Sequence, residues 1–113
     1  MRIVNLEDLR KQPKGIIYCK YEPCYFSSPE VFGGIFGESD FVSAELIGWV
    51  KSSGSDEMFD ILHSCEISGA SFDLDTECFG RDGLYEKDQL FAIYENKDIE
   101  QLIETLKKAI TYE

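Results

Sequence analysis

Apolar positions change period several times along the chain, and each change marks an element. After Asn96, Ile99, Leu102, Ile103, Leu106 and Ile110 recur at three- and four-residue steps, with Lys107 and Lys108 near the negative end, which predicts an amphipathic helix. The same spacing at Met58, Ile61, Leu62 and Cys65 predicts another, capped by Ser53 or Ser55, opened by Asp56 and Glu57, and ended near Gly69. A short first helix follows Asn5 as N-cap, with Glu7 and Asp8 in its first turn and Pro13 and Gly15 to stop it.

Between these helices the pattern turns to strands. "GIIYCKYEP" and "CYFSSPEVFGGIFG" are rich in β-branched and aromatic residues and predict an irregular hairpin, with Gly33, Gly34 and Gly37 marking a bulge or tight bend. "SFDLDTECF" alternates, with Phe72, Leu74, Thr76 and Cys78 on one side and Asp73, Asp75 and Glu77 on the other, as in a half-buried strand with a negative outer row. "LFAIYE", residues 90–95, is expected opposite it, joined through the ten-residue loop "GRDGLYEKDQ". The run "SDFVSAELIGWVK" fits neither period. Strands in hairpins with helices inserted and appended imply an α+β fold: a small antiparallel sheet with two or three helices packed mainly on one face. At 113 residues and 43% apolar composition, one domain spanning residues 1–113 is expected.

Charge changes the picture more than composition does. The formal total is −11, and residues 38–95 carry fourteen acids against three bases, while residues 1–37 and 96–113 are nearly balanced. Such a surface repels phosphate backbones, so direct nucleic-acid binding is not expected, and it attracts a protein with a basic surface. No charged segment followed by an apolar run opens the chain and no run approaches membrane-spanning length, so a cytoplasmic protein with no membrane partner is expected. The four cysteines, Cys19, Cys24, Cys65 and Cys78, then read as reduced and mainly as small core residues.

Tests for known chemistry lead away from an enzyme. A calcium loop counted from Asp73 needs Gly at its sixth position, where Cys78 stands. Cys19 and Cys24 are separated by four residues but Cys65 and Cys78 by twelve, so the second close pair of a zinc site is missing, and "VFGGIFGES" lacks the Lys-Ser/Thr of a phosphate-binding loop. His63, the sole histidine, lies two residues from Cys65, a spacing that puts the two on different helix faces. No catalytic residue, metal ligand or cofactor is therefore assigned.

The remaining candidate is the stretch "CFGRDGLYEKDQLFAIYE". Asp82-Gly83 is a strong turn signal, but a turn does not require Arg81, Tyr85, Asp88 or Gln89, and a loop this long suits contact with a partner. The expected partner-binding set is Asp73, Asp75, Glu77, Arg81, Asp82, Tyr85, Glu86, Asp88 and Gln89, the alternative for Arg81 being a structural salt link to a neighbouring acid.

Together with "LRKQPKGIIYCKYEPCYF", that stretch resembles a group of small acidic proteins encoded by phages and prophages: a short N-terminal helix, a Pro-x-Gly step into a strand ending at Glu22-Pro23-Cys24, and an Arg-Asp-Gly…Asp-Gln-Leu-Phe segment before the last helix. The group has no agreed catalytic residues, so the resemblance implies context alone: action inside a bacterial cytosol. The expected function is a non-enzymatic accessory protein that binds and inhibits a host protein, a defence or nucleic-acid enzyme, through its acidic face. One alternative is a nucleotide-sequestering module, with Tyr18, Tyr21, Tyr25, Phe26 and Trp49 to stack a base and Arg81 to meet phosphate. Another is a toxin immunity protein.

Overall fold

A computed structural model describes residues 1–83 and 86–111. Its elements run β1 (Arg2–Val4), α1 (Leu6–Arg10), β2 (Ile17–Glu22), β3 (Tyr25–Phe26), β4 (Glu30–Phe36), β5 (Asp40–Glu45), β6 (Trp49–Val50), α2 (Ser55–Ser68), β7 (Leu74–Asp75), β8 (Gly80–Arg81), β9 (Leu90–Ile93) and α3 (Asn96–Ala109). The fold is α+β: an antiparallel sheet in the order β1-β9-β2-β4-β5-β8, with β3 folded onto the end of β2, and a separate two-stranded ribbon of β6 and β7.

Local chemistry explains the ends of the helices. Asn5 caps α1, its Oδ1 accepting from the Asp8 amide at 2.9 Å, as its position predicts. α2 ends at Gly69 in the left-handed conformation, also as expected. Its start differs: Gly54, with extended backbone, occupies the cap position, and Glu57 reaches back to accept from the amide and hydroxyl of Ser53. α3 begins one residue earlier than Asn96 suggests, with Glu95 and Asp98 forming a reciprocal capping box.

The irregular hairpin is present. β2 turns at Pro23-Cys24 into β3, with Cys24 at φ 64°, and then pairs with β4 after Ser27 closes on Lys20. The β4–β5 ladder slips between Phe32 and Gly34, and Gly34 sits at φ 105°, so the expected bulge is real.

The pairing expected for the last strand is not formed. β9 lies between β1 and β2, with Arg2 opposite Ile93 and Cys19 opposite Ala92, whereas β7 pairs with β6. Around β7 the side expected to be buried is open: Phe72, Leu74, Thr76 and Cys78 are exposed, while Asp73 and Glu77 are exposed as expected and Asp75 is half-buried. A two-stranded ribbon outside the main sheet has no second layer over its apolar side chains, so alternation alone could not bury them.

One face of the sheet holds the core. Tyr18, Phe32, Phe41 and Phe91 pack edge to face at 5.9–6.4 Å between ring centres, except for the tilted Phe32–Phe41 pair, and Leu9 of α1 and Ile93 complete the cluster. Each such fully buried side chain contributes roughly 2–3 kcal/mol. Only α1 places a buried residue there; α2 and α3 bury none. Of the cysteines only Cys19 is buried, and Cys24 and Cys78 are exposed, which corrects the expectation that they fill the core. No helix is long and apolar enough to cross a membrane among the described residues.

Candidate functional site

The residues singled out from the sequence fall into three places. Arg81 and Asp82 stand at the end of β8, Glu86, Asp88 and Gln89 beside the β2–β3 turn, and Asp73, Asp75 and Glu77 around the β6–β7 ribbon. Among the described residues no hydrogen bond or ion pair joins the ribbon acids to the other two groups. Tyr85 lies outside the described residues.

Arg81 and Asp82 are anchors of the sheet. Arg81 Nε donates to Asp40, and its guanidinium carbon lies 5.2 Å from the centre of the Phe36 ring. Asp40 is only 5% exposed and also accepts from the Phe41 amide at 2.8 Å and the Gly83 amide at 3.1 Å. Burial would raise the Asp40 carboxyl, but Arg81 and these two amides outweigh it and hold it below the usual carboxylate range. The structural salt link weighed for Arg81 is therefore formed, though the Arg81 side chain remains 64% exposed.

Asp82 turns the other way, its side chain 5% exposed and 3.2 Å from Lys20 Nζ. Its second carboxylate oxygen is buried without a hydrogen-bond partner among the described residues, as is the Tyr18 hydroxyl. Glu30 joins this polar end of the core. Burial, only partly offset by Lys20, pushes its carboxyl above the usual range, and Asp82 and Glu45 push it further. Burial likewise pushes the Tyr18 phenol up. Tyr18 therefore belongs to the core and is not available to stack a base, whereas Tyr25, Phe26 and Trp49 are exposed.

Glu86, Asp88 and Gln89 line a shallow cleft of about 180 Å³ with Tyr21, Glu22, Pro23 and Leu90. Gln89 is fixed there, its Nε2 donating to the Tyr21 carbonyl at 3.0 Å and the Leu90 carbonyl at 2.9 Å. The loop is thus clamped at both ends, by Asp40 and by the β2 backbone.

In the ribbon, Asp73 and Glu77 are exposed and Asp75 is half-buried. Lys51 N donates to the Asp73 carbonyl at 2.9 Å and Glu77 N to Asp75 Oδ1 at 3.0 Å, so the acid-bearing turn is ordered by a backbone bond from Lys51 and by the Asp75 side chain. Trp49 stands directly opposite Asp75 in the ladder and is 54% exposed, with Leu74 and Phe72 exposed nearby in the chain. Gly48, at φ 75°, lets the chain approach so closely that a Cβ there would stand 2.3 Å from the Asp75 carbonyl oxygen.

His63 is exposed and faces Glu66 at 3.9 Å on its own helix. Among the described residues no group of three or more His, Cys, Asp or Glu side chains is placed to hold a metal ion. Asp40, Lys20 and Glu30 escaped the sequence reading because their partners lie far along the chain. Trp49 was noted only as an aromatic, since nothing local reveals that Asp75 will stand across from it.

The chain matches no protein-family model, no curated protein and no solved structure.

Proposed function

We propose that this chain is a non-catalytic protein-binding module that docks a basic partner on the β6–β7 ribbon, and that in a phage-type setting it inhibits a host protein by occupying that protein's nucleic-acid-binding surface. The observation that carries the reading is the cross-strand pair of an exposed indole, Trp49, with a carboxylate, Asp75. An indole face attracts a guanidinium and a carboxylate pairs with its N–H groups, so together they suit an arginine on the partner. Asp73 and Glu77, which alternate onto the same side of the chain as Asp75, extend the negative rim around the exposed indole. The charge of residues 38–95 would speed the encounter with a basic surface and make it salt-dependent.

The resemblance to small phage-encoded acidic proteins supplies the cellular setting assumed here, and the charge makes a nucleotide the poorer ligand. Because Trp49 is the sole tryptophan, its emission reports the site directly. Titration with an arginine-rich peptide followed by that emission, and capture of basic proteins from bacterial lysate at low and high salt, should both show binding that falls as salt rises, and the capture, which needs no tryptophan signal, should be lost in Trp49→Ala. Binding indifferent to salt and to that substitution would refute the proposal.

A further inference from the structure

We infer that the polar end of the core is a proton-dependent clasp: Glu30 and Asp82 share Lys20, and a proton on Glu30 sets how firmly the chain is held where it leaves β8. The strands bring these groups together on the core face. Tyr18 stands opposite Glu30 and Glu30 opposite Glu45, while Lys20, two residues from Tyr18, shares its side of β2. Asp82 enters from the end of β8, its amide donating to the Phe41 carbonyl at 2.9 Å. Three carboxylates therefore meet one ammonium, whose single ion pair among the described residues is with Asp82 at 3.2 Å. Asp82 needs that ammonium more than an open acid would. Its side chain is 5% exposed, and its second oxygen is buried with no hydrogen-bond partner among the described residues.

Glu30 is the group that can change the balance. Burial raises its carboxyl first, Lys20 of β2 lowers it, Asp82 and Glu45 of β5 raise it again, and Ser43 of β5 offsets the rise. In turn the Glu30 charge pushes up Tyr18 and Cys19 of β2, each already raised by burial. A neutral Glu30 leaves Lys20 to Asp82 alone. Once ionised, Glu30 draws on the same ammonium and sets a second negative charge near a carboxylate oxygen that water does not reach. Asp40 limits the result, because on the other side of the strand it still holds Arg81 and the Gly83 amide. What loosens is the bond between those two anchors, from the Asp82 amide to the Phe41 carbonyl, so the strand end slackens without detaching. The clasp lies in the main sheet and does not depend on what the ribbon binds.

A pH titration of the full chain by NMR tests the clasp, with side-chain carboxyl carbons, the Lys20 side chain and the Asp82 amide followed together. Glu30 should titrate above the usual carboxylate range. At that same midpoint the Lys20 and Asp82 side-chain signals should shift, and the Asp82 amide proton should move upfield as its bond to Phe41 lengthens. Glu30→Gln, close in shape, should remove this step from Lys20 and from Asp82. Asp82→Asn should move the Glu30 midpoint down, because Lys20 is then left to Glu30, whereas a carboxyl raised by burial alone would stay where it was. A Glu30 midpoint in the usual range, the absence of a matching step at Lys20 or Asp82, or a midpoint unmoved by Asp82→Asn would overturn the inference.

Discussion

Replacing Asp40 offers a direct measure of how firmly the β8 end of the sheet is held. Its carboxylate satisfies the Phe41 and Gly83 amides and pairs with Arg81. In Asp40→Ala both amides lose their partner, at about 1 kcal/mol or more each. The Arg81 pair adds less than about 1 kcal/mol, because the guanidinium is largely open to water and regains hydration when released. The expected loss is about 3 kcal/mol, or near 12 °C in Tm for a chain of this size. Asp40→Asn retains an acceptor for the amides and should lose about 1 kcal/mol. Urea unfolding followed by far-ultraviolet circular dichroism measures both.

The pH dependence separates charge from shape. The folded-state pKa of Asp40 lies below its unfolded value, so its contribution is complete above the unfolded pKa and is lost as pH falls through the folded one. Wild type and Asp40→Asn should therefore differ at neutral pH and converge in strong acid. An Asp40→Ala loss under about 1 kcal/mol, or an Asp40→Asn difference constant at every pH, would refute the reasoning.

Two further outcomes follow from the polar end of the core and from the ribbon. Glu30 has the opposite sign: its folded pKa is raised, so its charged form opposes folding, and stability is lost as pH rises through that value. Glu30→Gln should gain about 0.5 kcal/mol at pH 7 and nothing below the unfolded pKa, as read from denaturation midpoints. Gly48→Ala would drive a Cβ into the Asp75 carbonyl and should cost more than about 2 kcal/mol, with a shift in Trp49 emission as the ribbon parts. An unchanged spectrum would show that the ribbon is not held by that contact.

What the sequence disclosed was local in origin. Asn5, Gly69 and the stripes of α2 and α3 express capping and helical period, which act over a few residues, and the Gly34 bulge follows from the freedom of glycine. What it withheld was set by partners elsewhere. β6, β7 and β8 are two residues long each and take their conformation from a neighbouring strand more than from their own preference. The Arg81–Asp40 link spans 41 positions, and Trp49 reaches Asp75 only because Gly48 permits the approach. In the candidate set, Asp82 and Gln89 carried the right residue types but are largely committed to the fold, a distinction that depends on Lys20 and on the β2 backbone.

The position of β9 has a consequence for how the chain comes together. Residues 90–93 fill the gap between the first strand and the second, and Phe91 closes the aromatic cluster that Tyr18 begins. During synthesis β1 and β2 therefore emerge with facing edges unpaired, and they wait until residues 90–93 are made before the strand between them arrives. The long loops that must close first make the final step slow, and the open edges invite pairing between nascent chains. A chain halted before residue 90 would hold β1 and β2 without the strand that joins them.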